Sequence, residues 1–538
     1  MVGRAAYVVV SALGAPKAPH PPRRAPREQR PENLDEEYDM TNNLNRRSLL
    51  RGGGAAAAGA AAVPLLGTSA SAAAQRSGRG SGQDLARDAG VLTNRDPLIE
   101  QRADPLITYP HRGMYYMTGS VPEYDRIVVR GAPTIEGLAH TGERTVWRRP
   151  ESGRMGGHIW APELHRIDGR WYIYFAAGDS DDVFRIRMYV LESRAEDPRE
   201  DAWELRGQIT TPWDTFALDA TTFEHAGTRY YVWAQAEPGI DTNSNLYIAE
   251  MASPVAIKGD PVRLAVPTAD WETRGFKVNE GAYVLVRNGR VFMTFSASAT
   301  DANYCVGLLT ADARANLLDP ASWTKSPQPL METNEANSRF GPGHNSFTVA
   351  EDGETDVLVY HARSYREIDG DPLYDPNRHT RVQKLDWYPD GTPALGIPIA
   401  GGESVVRLSP LDSPESFVRH GQGGRLVVDR VADRVERSQF RIVPGFLDPG
   451  RVALRCVDLP DHHVRVSDGS PVVAPYADSD EYGRASGFIR DEGLAGRDGV
   501  SFRLSEDPHS YLAHREGRLV VERPRSGADR QRATFRLR

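Results

Sequence analysis

Two all-β domains are predicted, a five-bladed β-propeller followed by a β-trefoil, and three observations predict them. Five strand–turn–strand segments recur about every 60 residues through the middle of the chain, and three more recur about every 45 residues at its C-terminal end. The composition agrees, because 50 Gly, 21 Tyr and nine Trp suit turn-rich strands and clefts that carry aromatic rings.

The five central segments share one grammar: a polar or special residue, an apolar run, a Gly turn, then an aromatic or aliphatic strand. They read "ADPLITYPHRGMYYMTGS" from Ala103, "WAPELHRIDGRWYIYFAAG" from Trp160, "LDATTFEHAGTRYYVWAQA" from Leu218, "NEGAYVLVRNGRVFMTFSAS" from Asn279 and "GHNSFTVAEDGETDVLVYHAR" from Gly343. Their leading residues, Asp104, Trp160, Asp219, Glu280 and His344, are 56, 59, 61 and 64 positions apart. Such a period accommodates four strands of about five to six residues with their turns, which is one propeller blade. Rotation about the propeller axis then carries the residue that opens each innermost strand to one mouth of the central channel. Glu280, a carboxylate where a strand otherwise wants a dry core, becomes one of several polar groups facing a shared pocket.

The bulk numbers bound the rest. A chain of 538 residues is too long for one hydrophobic core. Its net charge of −8 gives no reason to expect nucleic acid or an anionic membrane as partner. Cys305 and Cys456 are the only cysteines and stand in different predicted domains, so two isolated core thiols are expected rather than a disulfide framework.

At the N-terminus, "NRRSLLRGGGAAAAGAAAVPLLGTSASAAAQ" has the layout of an export signal: the twin arginine Arg46 and Arg47, a short Ala/Leu-rich stretch and A-x-A-type cleavage sites near Ala72 and Ala74. Its apolar stretch is too short and Gly-broken for a membrane span. The pattern resembles a twin-arginine signal, which implies export of a folded protein. Residues 1–39 are Pro/Arg-rich and fit no signal n-region, which makes Met40 a second candidate start. The expected organisation is therefore 1–39 upstream segment, 40–74 signal, 75–95 linker, 96–400 propeller and 401–538 trefoil.

Three acids, a Trp and a His in one polar funnel, with no Cys/His metal set, point to glycoside chemistry before metal-assisted hydrolysis. One carboxyl must be protonated to give the leaving oxygen its hydrogen, and another must be ionised to activate water. A third acid beside the donor raises the donor's pKa by charge repulsion. Inversion needs the working carboxyls roughly 6.5–9.5 Å apart, a separation that residues on different blades suit.

"RADPLI", "HIWAPELH", "FALDATTF", "KVNEGAY" and "GPGHNSF", in this order, resemble glycoside hydrolase family 43, whose fold is a five-bladed propeller and whose members invert. Within that likeness, "VPEYDRIVVR", "SASATDANYC" and "DPNRHTRVQK" are similar to a branch of exo-acting α-L-arabinofuranosidases. The resemblance implies that Asp104 is the general base, Glu280 the general acid and Asp219 the group that raises and orients the acid. Ala282 departs from the Pro that often follows "NEG", which concerns the turn rather than the chemistry. Trp160 is expected either as an apolar wall for the sugar or as blade core. His344 is expected either to bond the sugar or to hold a water or a structural cation such as calcium. His158, Tyr304 and Arg381 are further candidates for substrate contact. No cofactor is required by this chemistry, and "DGDPLYDPN" at 369–377 reads as a surface loop rather than a calcium loop.

The second repeat begins with "DSPESFVRHGQGGRLVVD" at Asp412, "DLPDHHVRVSDGSPVVAP" at Asp458 and "EDPHSYLAHREGRLVVER" at Glu506, starts 46 and 48 residues apart. Short strands without a helix signal in three copies suggest a trefoil. It resembles carbohydrate-binding module family 42, the arabinose-binding module of arabinofuranosidases. That resemblance implies sugar sites at Phe417, His420 and Asp429 in lobe one and at Tyr511, His514 and Glu522 in lobe three. Lobe two has Val466 and Ala474 at the corresponding places and is expected to be silent.

The expected function is a secreted, monomeric exo-α-L-arabinofuranosidase that releases L-arabinose from arabinan or arabino-oligosaccharides. A β-xylosidase or arabinoxylan arabinofuranohydrolase on the same scaffold is the alternative, and a non-catalytic carbohydrate-binding protein is the rival from another class.

Overall fold

The computed structural model describes residues 95–200, 202–402 and 404–538; the segments expected to be upstream sequence and export signal, and nearly all of the expected linker, lie outside them. Five antiparallel sheets follow one another along the chain, each with its strands in sequence order. Blade I holds Ala103–Ile107, Tyr115–Ser120, Arg126–Ala132 and Arg144–Arg148, and blade II holds Ile159–Ile167, Arg170–Ala177, Arg187–Ser193 and Trp203–Gln208. Blade III holds Ala217–His225, Thr228–Gln235, Asn245–Ser253 and Ala256–Ala265; blade IV holds Asn279–Arg287, Arg290–Ala297, Cys305–Asp312 and Thr324–Lys325. Blade V has three strands, Phe340–Val349, Asp356–Arg363 and His379–Lys384, one fewer than the repeat predicts. The place of its fourth strand is taken from the other end of the domain: Ile99 bridges Thr380, and Leu98 N donates to Thr380 O at 2.9 Å. The opening of the domain thus closes its last blade.

The first strands of successive blades pack against one another in a closed ring, I to V and back to I, which makes them the walls of the central channel. Each middle strand is covered on both faces by neighbouring blades, and this is why "RWYIYFAA" and "RVFMTFSA" are buried almost throughout instead of alternating. Large rings such as Tyr174, Tyr231, Trp233 and Tyr247 fill the wedge between blades II, III and IV. The glycines that phase the repeat, Gly113, Gly169, Gly227, Gly289 and Gly353, all have φ between 72° and 81°. In blades I to IV the preceding residue is left-handed as well, the signature of the type I′ turns that match the twist of a hairpin.

A second left-handed residue recurs near the start of every inner strand: Asp104, Ala161, Asp219, Gly281 and His344, with φ of 52°, 44°, 55°, 55° and 43°. The strand ladder slips at the same place in each blade. This corrects the phasing read from the sequence. Trp160 and Glu280 do not occupy the equivalent position; they stand one residue before it, because the hairpin is one residue shorter in blades II and IV than in I and V.

The C-terminal domain is a closed barrel of six strands, Val405–Pro410, Gln439–Pro444, Val452–Cys456, Phe488–Glu492, Val500–Leu504 and Phe535–Leu537, each paired with the next and the last with the first. Phe440, Phe488, Phe502 and Phe535 fill it. Three hairpins stand off the barrel, Phe417–His420 with Leu426–Asp429, His462–Ser467 with Ser470–Pro475, and Tyr511–Arg515 with Arg518–Glu522. They touch one another through Val427–Arg518 and Arg425–Val472 bridges. Two short helices not expected from the sequence, Asp480–Ser486 and Gly527–Arg532, are set by Ser479 and Ser526 caps and are too short to show a helical period. Propeller and barrel are joined at buried Asp386, which accepts from Arg407 Nη1 at 3.3 Å and Gln439 Nε2 at 3.1 Å. Cys305 and Cys456 are buried, unpaired thiols. Among the described residues no helix is long and apolar enough to cross a membrane.

Candidate active site

The inner-strand kink turns side chains of four blades into the channel mouth, and Asp104, Asp219, Glu280 and His344 meet there. His344 Nδ1 lies 3.3 Å from Asp104 Oδ1 and 3.6 Å from Asp219 Oδ2. Asp219 Oδ2 also accepts from Gly281 N at 3.1 Å, the residue after Glu280. Glu280 Oε1 accepts from the Tyr304 hydroxyl at 2.8 Å. Acids separated by 176 positions in the chain, from 104 to 280, thus share one pocket.

Much of the site is held by residues that the sequence alone did not single out. Asp104 Oδ2 accepts from Ser120 Oγ at 2.5 Å, and Oδ1 faces Arg378 Nη1 at 3.3 Å. Arg378 also donates to the Tyr124 hydroxyl at 3.0 Å. The backbone N–H of Asp104 donates to His361 Nδ1 at 3.0 Å, which places the His361 proton on Nε2.

Two of these partners form a pattern with a third residue, Ser296. Ser120, Ser296 and His361 sit at corresponding places on the second strands of blades I, IV and V, opposite Ala103, Glu280 and Gly343. Each accepts the N–H of the left-handed residue on the next blade: Ala161 N to Ser120 at 2.8 Å, His344 N to Ser296 at 2.7 Å, Asp104 N to His361. Blade III has Ala234 at that place, with no acceptor, and there the Asp219 carboxylate takes the Gly281 N–H instead. A kinked backbone N–H buried without a partner is costly, so the fold itself requires polar groups at the channel mouth. A search for the second-strand residues opposite Ala103, Glu280 and Gly343 would have found them.

The electrostatics differ sharply between the acids. Burial acts to raise Asp104, but the Arg378 guanidinium, the two imidazoles and the Ser120 hydrogen bond outweigh it and hold the carboxyl well below the usual range. Burial, with Glu280 and Asp104 close by, pushes Asp219 well above the ordinary value. Burial likewise raises Glu280 to about 7; the Asp104 charge adds to this, and the Tyr304 hydrogen bond and Arg378 oppose it. The side chain nonetheless keeps part of its surface open to the channel. Burial lowers His344 and His361, so both imidazoles are neutral near pH 7. The arrangement offers one ionised carboxylate and one protonated acid in the same cleft.

Trp160 and His158 stack at 5.1 Å and form a wall with Tyr124, Phe184 and Tyr374, whose rings come from blades I, II and V. Phe184 and Tyr374 are exposed, and Tyr374 belongs to the 369–377 surface loop. Trp160 Nε1 and His158 Nδ1 are buried without a hydrogen-bond partner. Arg381 stands elsewhere: its guanidinium is fixed to Asp96 Oδ1 at 2.6 Å, Ser364 Oγ and Ala362 O, and it helps tie the first residues of the domain to blade V. The arginine at the acids is Arg378, three residues earlier. Among the described residues no three His, Cys, Asp or Glu side chains converge to hold a metal ion, and His344 directs Nδ1 at two carboxylates instead.

The sets expected in the C-terminal domain do not converge as drawn. Phe417 pairs with Asp429 and Tyr511 with Glu522, whereas His420 and His514, three residues on, fall on the opposite face of their strands. Asp429 is held bidentate by Arg419, Glu522 is paired with Arg515, and Phe417 lies under Arg407. The histidines find their acids across lobes: His420 Nε2 bonds Asp458 at 2.9 Å and His514 Nε2 bonds Asp412 at 2.7 Å. Asp412, Asp458 and Glu506 are the residues that open each repeat. Val466 cannot make the third such pair, and Glu506 is bound to Arg484. A cleft of about 430 Å³ opens beside His420, lined by Gly421, Gln422, Gly424, Leu459 and His462.

Comparison with known proteins agrees with this geometry. Residues 94–393 match Glycosyl hydrolases family 43, and residues 401–537 match the Alpha-L-arabinofuranosidase B (ABFB) domain. The chain is similar to an extracellular exo-alpha-(1->5)-L-arabinofuranosidase of Streptomyces avermitilis, 47% identical over 445 residues that cover 82% of this chain and 92% of that one. It is similar over 277 residues to the enzyme of the same description from Streptomyces chartreusis, at 57% identity, covering 52% and 84% of the two chains. The crystal structure of an alpha-L-arabinofuranosidase from Lactobacillus brevis superposes with a TM-score of 0.56 at 56% identity, covering 57% of this chain and 98% of that one. With all five blades in place, three acids at one channel mouth and a matched stretch that spans the propeller, the chain belongs to glycosyl hydrolases family 43.

Proposed function

We propose that the protein is an inverting exo-α-L-arabinofuranosidase that releases L-arabinose from arabinan or arabino-oligosaccharides. The observation that carries this is that Asp104, Asp219 and Glu280 from three blades meet in one cleft, where the surroundings hold Asp104 low and burial raises Glu280 to about 7. In this reading Asp104 takes a proton from water as its oxygen attacks the anomeric carbon. The bond to the leaving oxygen breaks, and Glu280 gives that oxygen its proton. Asp219 holds the backbone beside Glu280 through Gly281 N, and repulsion within the pair keeps both from being ionised together. Trp160, His158 and Tyr124 wall the sugar. No step is routed through a metal or an organic cofactor.

The domains run 96–400 and 401–538, and the second is a β-trefoil; six barrel strands with three hairpins support that reading. Its arabinose sites are the interlobe pairs His420–Asp458 and His514–Asp412, with lobe two silent. Two weak sites on one module gain on a polymer because binding at one raises the effective concentration at the other. The names of the extracellular relatives support action outside the cell, which the twin-arginine signal would serve, and the enzyme works as a monomer.

The test is incubation with linear arabinan, arabinoxylan and nitrophenyl glycosides, with products followed by NMR. Release of β-L-arabinofuranose as the first anomer from arabinan supports the reading, and a first-formed α-anomer overturns inversion. Asp104→Asn and Glu280→Gln each lose kcat by orders of magnitude; wild-type turnover in either removes the role assigned to it.

A further inference from the structure

A buried carboxylate that takes no part in the chemistry stands behind the proposed acid. Glu272, in the turn that leads from blade III to blade IV, and Asn279, the residue before Glu280, are both fully buried. Lys325 Nζ donates to the two Glu272 oxygens at 2.8 Å each and to Val266 O at 2.9 Å. Glu272 Oε2 also accepts from Thr268 N and Ala269 N at 2.9 Å each, and Oε1 accepts from Asn279 Nδ2 at 3.1 Å. Asn279 Nδ2 donates as well to Val278 O at 2.9 Å. Both partners of that nitrogen are acceptors, so the amide cannot be turned over. The main chain of the same residue is held by blade III: Asn279 N donates to Ser244 O and Ser244 Oγ donates to Asn279 O, each at 3.1 Å.

We infer that Glu272 is a positioning residue of the general acid: it fixes Asn279, and through the Asn279–Glu280 peptide bond it sets where the Glu280 carboxyl meets the leaving oxygen. This rests on the role proposed for Glu280 and adds what holds that acid in place. Successive side chains leave a strand on opposite faces, so Asn279 turns away from the channel while Glu280 faces it. Two backbone N–H groups and an ammonium hold the Glu272 carboxylate, which makes it a fixed anchor for the Asn279 amide. Replacing a buried ion pair by apolar side chains is often neutral or stabilising, so packing alone does not call for Glu272. An acceptor for a buried amide N–H does. On the other side of the acid, Gly281 N is tied to Asp219 at 3.1 Å. Glu280 is thus bracketed, with the residue before it and the residue after it both pinned. Such placement matters because a shift of about 1 Å at a reacting group costs on the order of a hundredfold in rate.

The experiment compares two substrates: arabinobiose, whose alcohol oxygen needs a proton to leave, and a dinitrophenyl α-L-arabinofuranoside, whose phenolate leaves without one. On both, kcat and KM are measured for wild type, Glu272→Gln, Asn279→Leu, the double variant and Glu280→Gln. In Glu272→Gln the Thr268 and Ala269 N–H groups, fixed in the backbone, keep the remaining oxygen, and the NH2 is left facing Asn279 Nδ2. Asn279→Leu removes the same bond from the other end and leaves the Glu272–Lys325 pair intact, so it tests the link whether or not Glu272→Gln folds. In each, kcat on arabinobiose falls about tenfold or more beyond the fall on the dinitrophenyl substrate, with KM nearly constant. Because Glu272 acts through Asn279, the double variant falls no further than Asn279→Leu. General structural damage would instead lower Tm and slow both substrates by one factor. A wild-type ratio of the two kcat values in Asn279→Leu overturns the inference, as does a Glu272→Gln loss that adds in full to that of Asn279→Leu. Glu280→Gln separates this from the underlying role. It should favour the dinitrophenyl substrate more strongly still, and if it slows both substrates equally or neither, Glu280 is not the acid.

Discussion

Asp219 Oδ2 accepts a hydrogen bond from Gly281 N at 3.1 Å, so a carboxylate of blade III holds the backbone of blade IV one residue after Glu280. At three of the other four junctions a serine or histidine of the second strand makes the corresponding bond, and blade II has Ala176 at that place. At this junction alone among the described ones an acid does, and its position and its burial follow from the same contact.

Gly281 itself is the first point to test. Its φ is +55°, and a Cβ would lie 3.1 Å from His344 Cγ and 3.3 Å from His344 Cα. Gly281→Ala combines left-handed strain of roughly 1–2 kcal/mol with a contact that must push His344 away from Asp104 and Asp219. The expected outcome is a Tm lowered by a few degrees and kcat reduced at least tenfold. Wild-type kcat in a folded Gly281→Ala protein would show that the kink does not position the acids.

Arg378 and Arg381 separate by what each change moves. Arg378 faces Asp104 and helps hold its carboxyl low, so Arg378→Met lets the acidic limb of kcat/KM rise and weakens turnover. Arg381 bonds Asp96 and carries no line to the acids, so Arg381→Met lowers thermal stability and leaves the acidic limb where it was. Equal shifts of the limb in both would contradict the geometry.

Glu280 links folding to pH with a definite sign. Its folded value of about 7 lies above the ordinary 4.5, so the unfolded chain loses this proton first as pH rises. The associated stability is fully present below about 4.5 and is lost as pH climbs through 7, an effect of about 2 kcal/mol once the partly open side chain is discounted for solvent screening. Glu280→Gln cannot ionise. Denaturant titrations at pH 4.5 and pH 8 should show the variant gaining on wild type at the higher pH, and a constant difference would mean the acid is not raised.

In the C-terminal barrel the expected changes follow the interlobe pairs. His420→Ala and Asp458→Ala should weaken retention on immobilised arabinan by a similar factor, as should His514→Ala and Asp412→Ala, while Val466→Ala changes nothing. Turnover of a small nitrophenyl substrate stays at the wild-type level in all of them. Loss of arabinan retention in Asp429→Ala with His420→Ala unaffected would favour the within-lobe grouping instead.

Several features of this protein were legible in its sequence because they depend on local pattern. A Gly turn after a short apolar run makes a hairpin wherever it occurs, so the five repeats, the closed barrel of three and the acids Asp104, Asp219 and Glu280 could be read from spacing and residue type. What spacing does not contain is the direction of each side chain and its partner across a blade boundary. A one-residue difference in hairpin length put Gly281, not Glu280, at the kink; strand parity sent His420 away from Asp429 and towards Asp458; and three positions decided between Arg381 and Arg378. Those outcomes turn on ångström-scale contacts between segments far apart in the chain, and only closure of the ring brings such segments within hydrogen-bonding distance.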